Sequence, residues 1–167
     1  MPTVVADSSA FIHLGTHGRV QLLRDLFGQL LVPPAVWQEV VAAGQGRAGD
    51  AELRQAVQEG WVSIEAPPPS TVLPAGTPPL HPGEVEAIRL ALSKQDSLLV
   101  VDELIGRTVA TGLGIKVIGI VGLLVLARQR NLIANLETEL HRLRGPGRFR
   151  ISHQLFQHAL RLAGESN

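Results

Sequence analysis

Four acidic residues are candidates for chemistry, and any two that meet at one rim would repel each other unless a cation neutralised them. Asp7 follows the run Val4-Val5-Ala6 and heads the triplet Asp7-Ser8-Ser9, Glu39 lies within VPPAVWQEV, Glu84 opens GEVEAIRLA, and Asp102 ends SLLVVD directly before Glu103. Carboxylates are hard oxygen donors that suit Mg²⁺ or Mn²⁺, and such a cation keeps several waters beside a few of them. A cation so held lowers the pKa of its water and polarises a phosphodiester; a pair of ions about 3.5–4 Å apart does both at once. Without metal, the same acids would only repel one another and a phosphate backbone. This pattern contains no covalent nucleophile, so the acids read as ligands or orienters of water.

The elements that must position these acids follow from periodicity and punctuation. TVVA, LLVP, WVSIE, SLLVVD and KVIG read as short buried strands, with helical segments between most of them. Pro34 suits a first helical turn and Gly44 a stop, which gives a helix over 34–43; Asp50 is expected to cap AELRQAVQE, with Gly60 ending it. GEVEAIRLALSK, ELIGRTVATGLG and IVGLLVLARQRNLI are further helices, and two more flank a basic loop near the end. Alternating strands and helices imply an α/β fold: three layers, α/β/α, around a central, mostly parallel sheet of four or five strands. Asp7 and Asp102, each at the carboxyl end of a strand, should then meet at one rim.

The helical wheel separates the glutamates. Glu84 falls on the stripe of Ala87, Ile88 and Ala91, near a helix N-terminus whose dipole favours an anion, whereas Glu86 points away and reads as solvated. Periodicity places Glu39 off the stripe of Val36, Trp37 and Val40, on an exposed face. Residues 65–83, EAPPPSTVLPAGTPPLHPG, are too rich in proline for a regular element and read as a long loop.

Bulk composition narrows the classes. The 167 residues are 45% hydrophobic and 18% charged, which fits a folded single domain, 1–167, with a core over about 1–134 and a helical extension over about 135–167. Fifteen basic and fifteen acidic residues balance, so no global charge draws the chain to nucleic acid or lipid, and a polyanion must be held locally. There is no cysteine, which excludes disulfides and thiolate metal sites and fits a reducing cytoplasm. The start, MPTVVADSSAF, lacks the features of a signal peptide, and the longest apolar run falls far short of the roughly 18 residues of a membrane span.

Taken in order and spacing, Asp7-Ser8-Ser9 after a first strand, VPPAVWQEV, GEVEAIRLA, and LLVVDE followed by a helix and KVIG resemble the PIN-domain family. The likeness is greatest to compact prokaryotic PIN proteins of the VapC toxin type, in a branch with glutamate in the third acidic motif, and FRISHQLFQHALRLAGE at the end extends it over nearly the whole chain. The resemblance implies a metal-dependent endoribonuclease, the toxin of a toxin–antitoxin pair, with RNA as substrate, a small antitoxin protein as partner, and a homodimer as the usual assembly. By position it makes Asp7, Glu39, Glu84 and Asp102 the ligands of Mg²⁺ or Mn²⁺, Glu103 a helper, and Ser9 the group that orients the first carboxylate or a metal-bound water. On Glu39 it disagrees with periodicity. Two departures stand out: the third acid is glutamate rather than aspartate, and Val100-Val101 precede Asp102 without the usual threonine. The competing reading is a PIN-like module that binds RNA or protein with little or no catalysis.

Other features have plainer readings. His13 and His17 share a spacing seen in zinc sites, but glycines interrupt that segment and no third ligand is evident. His81, before Pro82 and Gly83, reads as a turn residue near the site, and Trp37 and Trp61 as core. The four arginines of HRLRGPGRFR form a surface cluster that could meet phosphates. A phosphoacceptor domain would need a lysine after a late strand; Lys116 instead precedes KVIG.

Overall fold

A computed structural model describes residues 1–145 and 149–165. Five strands, β1 (Thr3–Ala6), β2 (Leu30–Val32), β3 (Val62–Ile64), β4 (Ser97–Val100) and β5 (Lys116–Ile118), form one sheet in the order β3-β2-β1-β4-β5. Every pairing is parallel. The inner strands β1, β2 and β4 are short apolar runs because helices cover both faces, as parallel sheets require, while the edge strands β3 and β5 are more exposed. In β1 the side chains alternate: Val4 and Ala6 join one core and Val5 the other.

The larger core holds Phe11 of α1 (Ser8–Thr16), Leu23 of α2 (Gln21–Phe27), Val36 of α3 (Pro34–Trp37), Leu53 of α4 (Asp50–Gln58), and Ile120 and Leu124 of α7 (Ile120–Gln129). The smaller core holds Ala87, Ile88 and Ala91 of α5 (Pro82–Leu92) and Ala110 of α6 (Leu104–Gly112), packed against Val5, Leu99 and Val101. The result is the expected three-layer α/β/α arrangement, with a sheet that is wholly parallel. After β1 the chain builds outward through β2 and β3, then crosses back to place β4 on the other side of β1. The carboxyl ends of β1 and β4 therefore flank the switch point where such sheets bind ligands.

Helices α8 (Leu136–Arg144) and α9 (His153–Leu162) close over α7. Arg19 donates twice to the buried Glu139, at 2.9 and 2.6 Å, and Glu165 accepts from Arg128 Nε and from the Leu136 and Glu137 amides at the start of α8. Core packing accounts for the apolar run of α7: Ile120, Leu123, Leu124 and Ala127 are all buried in this chain. Trp61 is buried and Trp37 is half-buried beside the same core. No helix among the described residues is long and apolar enough to cross a membrane.

Three local readings change. Asp50 does not cap α4: Gly49, at φ 92°, takes that place because a Cβ there would sit 2.7 Å from Phe11 O, and Asp50 instead accepts from the Gly46 amide and Arg54. Glu86 is not solvated; it is half-buried and accepts from the Ala35 amide at 2.8 Å, satisfying a donor at the start of α3. The helix expected over 34–43 stays α-helical only to Trp37 and then widens into a π turn over Gln38–Ala42.

The proline-rich segment between β3 and α5 has no regular structure but is tied down. Arg89 Nε donates to Thr71 O at 2.5 Å and its Nη2 to Pro68 O at 3.2 Å, while Leu73 and Leu80 pack on the smaller core. Hydrogen bonds from a charged donor contribute about 1.5–3 kcal/mol each. Arg89→Ala is expected to speed proteolysis of this segment roughly tenfold or more, read by mass spectrometry of limited digests, with the rest of the chain as resistant as before.

Candidate active site

Asp7 follows β1 directly and caps α1, in the extended conformation a cap requires. Its Oδ1 accepts from the Ser9 amide at 3.0 Å and from Ser9 Oγ at 2.5 Å, and its own amide donates to Val100 O of β4 at 3.1 Å. Ser9 Oγ also accepts from the Asp102 amide at 3.2 Å. One hydroxyl thus joins the acid after β1 to the chain after β4. Asp7 is only 2% exposed. That burial is the largest influence on it and pushes its carboxyl from the ordinary 3.8 up to about 7; hydrogen bonds from Ser9 and Ala10 oppose the rise, and the charge of Glu84 adds to it.

Glu84 sits in the first turn of α5 and its Oε2 reaches back to the His81 amide at 2.9 Å, one arm of a capping box. Its Oε1 is buried and has no hydrogen-bond partner. An ideal Cβ on Gly106 of α6 would lie 2.7 Å from that oxygen, so α6 packs this closely only because residue 106 is glycine.

Glu39 is the point on which periodicity fails. A wheel places this residue off the apolar stripe, but the starts of α1 and α5 close over that face and supply donors to it. Glu39 is half-buried: Oε1 accepts from the Gly83 amide at 2.7 Å and Oε2 from Ser8 Oγ. A Cβ on Gly83 would collide with Oε2.

Asp7, Ser9, Glu39, His81, Glu84 and Glu103 line one cavity of about 420 Å³. Glu103 is exposed at the N-cap of α6. Asp102 is not part of this wall. Its Oδ1 accepts from the Ile120 amide, at the start of α7, at 3.1 Å, and stands beside the Arg107 guanidinium across Gly119. Among the described residues no three His, Asp or Glu groups converge into a ready cation cage. The carboxylates of the cavity nevertheless suit a hard divalent cation, and a buried anionic oxygen without a partner is costly until something compensates it. Asp7, Glu84, Glu39 and Glu103 are the side chains of the cavity that would hold one.

Sequence reading missed Ser8 and the glycines at 83, 106 and 119 that let helices close on the acids. For Gly83, the signal was its place directly before Glu84; for Gly106 and Gly119 nothing marked them apart from other helix and turn glycines. Gly106→Ala is expected to displace Glu84 Oε1 and weaken Mn²⁺ binding at least tenfold by calorimetry, while the melting temperature holds, because the flexible end of a side chain can yield where backbone cannot. Of the remaining sequence features, His13 lies at the cavity edge and packs edge-on against Phe149 at 4.9 Å, and Arg148 of the arginine cluster is outside the described residues.

A family model described as a PIN domain matches residues 3–165. No curated protein matches the chain.

Proposed function

Because the chain belongs to the PIN-domain family, whose members are generally nucleases acting on nucleic acid, we propose that it is a Mg²⁺- or Mn²⁺-dependent endoribonuclease of the VapC-like branch. Glu84 Oε1, buried without a partner in the cavity it shares with Asp7, is the observation that carries this reading. In the proposal Asp7, Glu39 and Glu84 hold the cation, Glu103 assists from the rim, Asp102 stands outside the cavity wall at the start of α7, and residues 1–167 act as one unit. The cation supplies charge stabilisation on the phosphodiester and an activated water. The chain's own groups do the positioning: Ser9 fixes the Asp7 carboxylate and the main chain of Asp102 together, and Ser8 and Gly83 hold Glu39. A family role as toxin, restrained by an antitoxin and acting in the cytoplasm as a homodimer, completes the reading.

The test is cleavage of a mixed structured-RNA pool by purified protein with Mg²⁺, Mn²⁺ or chelator. Cutting that requires metal and is absent from Asp7→Asn and Glu84→Gln supports the proposal. The toxin role is tested by growth arrest on induced expression, which Asp7→Asn should not cause.

One observation favours the second reading, a PIN-fold binding module with weak catalysis: the acids do not converge, and Asp102 is engaged with the start of α7. RNA binding that survives chelation, with no cleavage and no calorimetric signal for metal, would decide for it.

A further inference from the structure

A groove of about 560 Å³, distinct from the acidic cavity and with Asp102 in its lining, is walled by Ile118 of the edge strand β5, Val121 and Val125 of α7, and Leu155 and Leu162 of α9. Leu155, His158 and Leu162 fall at i, i+3 and i+7, one face of a strongly amphipathic helix, and all three line the groove. Leu155 and Leu162 are 40% and 52% exposed, so this face leaves apolar surface in water. Among the described residues β5 pairs with β4 alone, which leaves its other edge with unpaired backbone groups.

The polar rim is mainly basic. Arg107 stands at one end, Arg150 and His158 flank the apolar wall, and neither arginine forms an ion pair among the described residues. The acid present, Asp102, is already occupied by the Ile120 amide.

We propose that this groove takes an extended partner segment in which apolar and acidic residues alternate, added to β5 as a sixth strand. The added strand pairs its main chain with the open edge, sets its apolar side chains on Val121, Val125, Leu155 and Leu162, and brings its carboxylates to Arg107 and Arg150. Strand addition draws affinity from the main chain and specificity from alternate side chains. An RNA strand would satisfy the arginines but not the apolar wall or the sheet edge. This surface is independent of the nuclease reading and stands or falls without it.

The test uses the full chain and a fluorescein-labelled octapeptide of alternating valine and glutamate, with its valine–lysine counterpart and a single-stranded RNA decamer as comparisons. Fluorescence anisotropy reads affinity, and hydrogen exchange reads the amides of Lys116–Ile118. The expected result is binding of the glutamate peptide at least tenfold tighter than the lysine peptide, protection of the β5 amides, and at least tenfold loss in both Arg150→Glu and Leu155→Glu. Thermal melts establish that the variants fold, and Leu162→Glu replaces Leu155→Glu if the latter melts early. Equal binding of both peptides, no peptide binding, binding without β5 protection, or protection by the RNA alone would overturn the proposal, the last by assigning the groove to nucleic acid.

Discussion

Glu84→Gln is expected to lower metal-dependent RNA cleavage by at least a hundredfold, with the fold intact. The substitution keeps the size and the capping arm, since an amide oxygen can still accept from the His81 amide, but it removes the charge from the one buried side-chain oxygen left without a hydrogen-bond partner among the described residues. Groups that merely orient metal ligands cost about 10–100-fold when lost, so a ligand itself should exceed that range. The metal-free variant should be more stable than the wild type, because a neutral amide in that position relieves an uncompensated buried anion. Cleavage measured alongside thermal melts in chelator separates the outcomes: activity lost with stability gained supports a cation site, whereas both lost would mean that Glu84 acts mainly as a helix cap.

Raising the pH from about 4 to about 7 should destabilise the metal-free protein, and Asp7→Asn should abolish that dependence. The folded pKa of Asp7, about 7, lies above its ordinary value of 3.8. Through that interval the folded chain keeps a proton that the unfolded chain has released, so stability is full below pH 4, declines across the interval, and levels off once the carboxyl has ionised in the fold. A shift of about three units sets a ceiling of about 4 kcal/mol, and water entering the cavity lowers it. For a chain of this size each kcal/mol moves the melting point by about 2–4 °C. Asp7→Asn should therefore melt roughly 5–10 °C higher than wild type at pH 8 in chelator. Mn²⁺ should raise the wild-type melting point at pH 8 far more than at pH 5, where the cation must displace a proton. A melting curve that is flat with pH, or a metal effect equal at both pH values, would show that Asp7 is neither protonated in the fold nor close to the cation.

Much of the fold could be read from the residues. The five strand segments were evident as short apolar runs, since strands covered on both faces need little else, and the acids after TVVA and SLLVV fell where the switch point requires. Glu84 was placed correctly because α5 is a regular helix and its wheel angle holds. The failures share a cause: the wheel knows nothing of neighbours. Glu39 was misplaced because Ser8 and the Gly83 amide, from other elements, close over its face, Glu86 by a helix end from elsewhere in the chain that needed an acceptor, and Asp50 by the close approach of Gly49 to Phe11. Position after β4 likewise suggested that Asp102 would point into the acidic cavity, but the start of α7 offers it a donor that no local pattern reveals.

The two ends of the cavity are made by parts of the chain synthesised far apart in time. Asp7 is exposed to its neighbours almost at the outset, yet Val100 O and the Asp102 amide, which fix it and Ser9 in place, belong to a strand that docks beside β1 only after β2, β3, the proline-rich segment and α5 have been made. Contacts of such long sequence separation form late in folding. A nascent chain that has not delivered β4 thus has the first acid without its clasp. Assembly of the cavity therefore waits until most of the polypeptide has emerged.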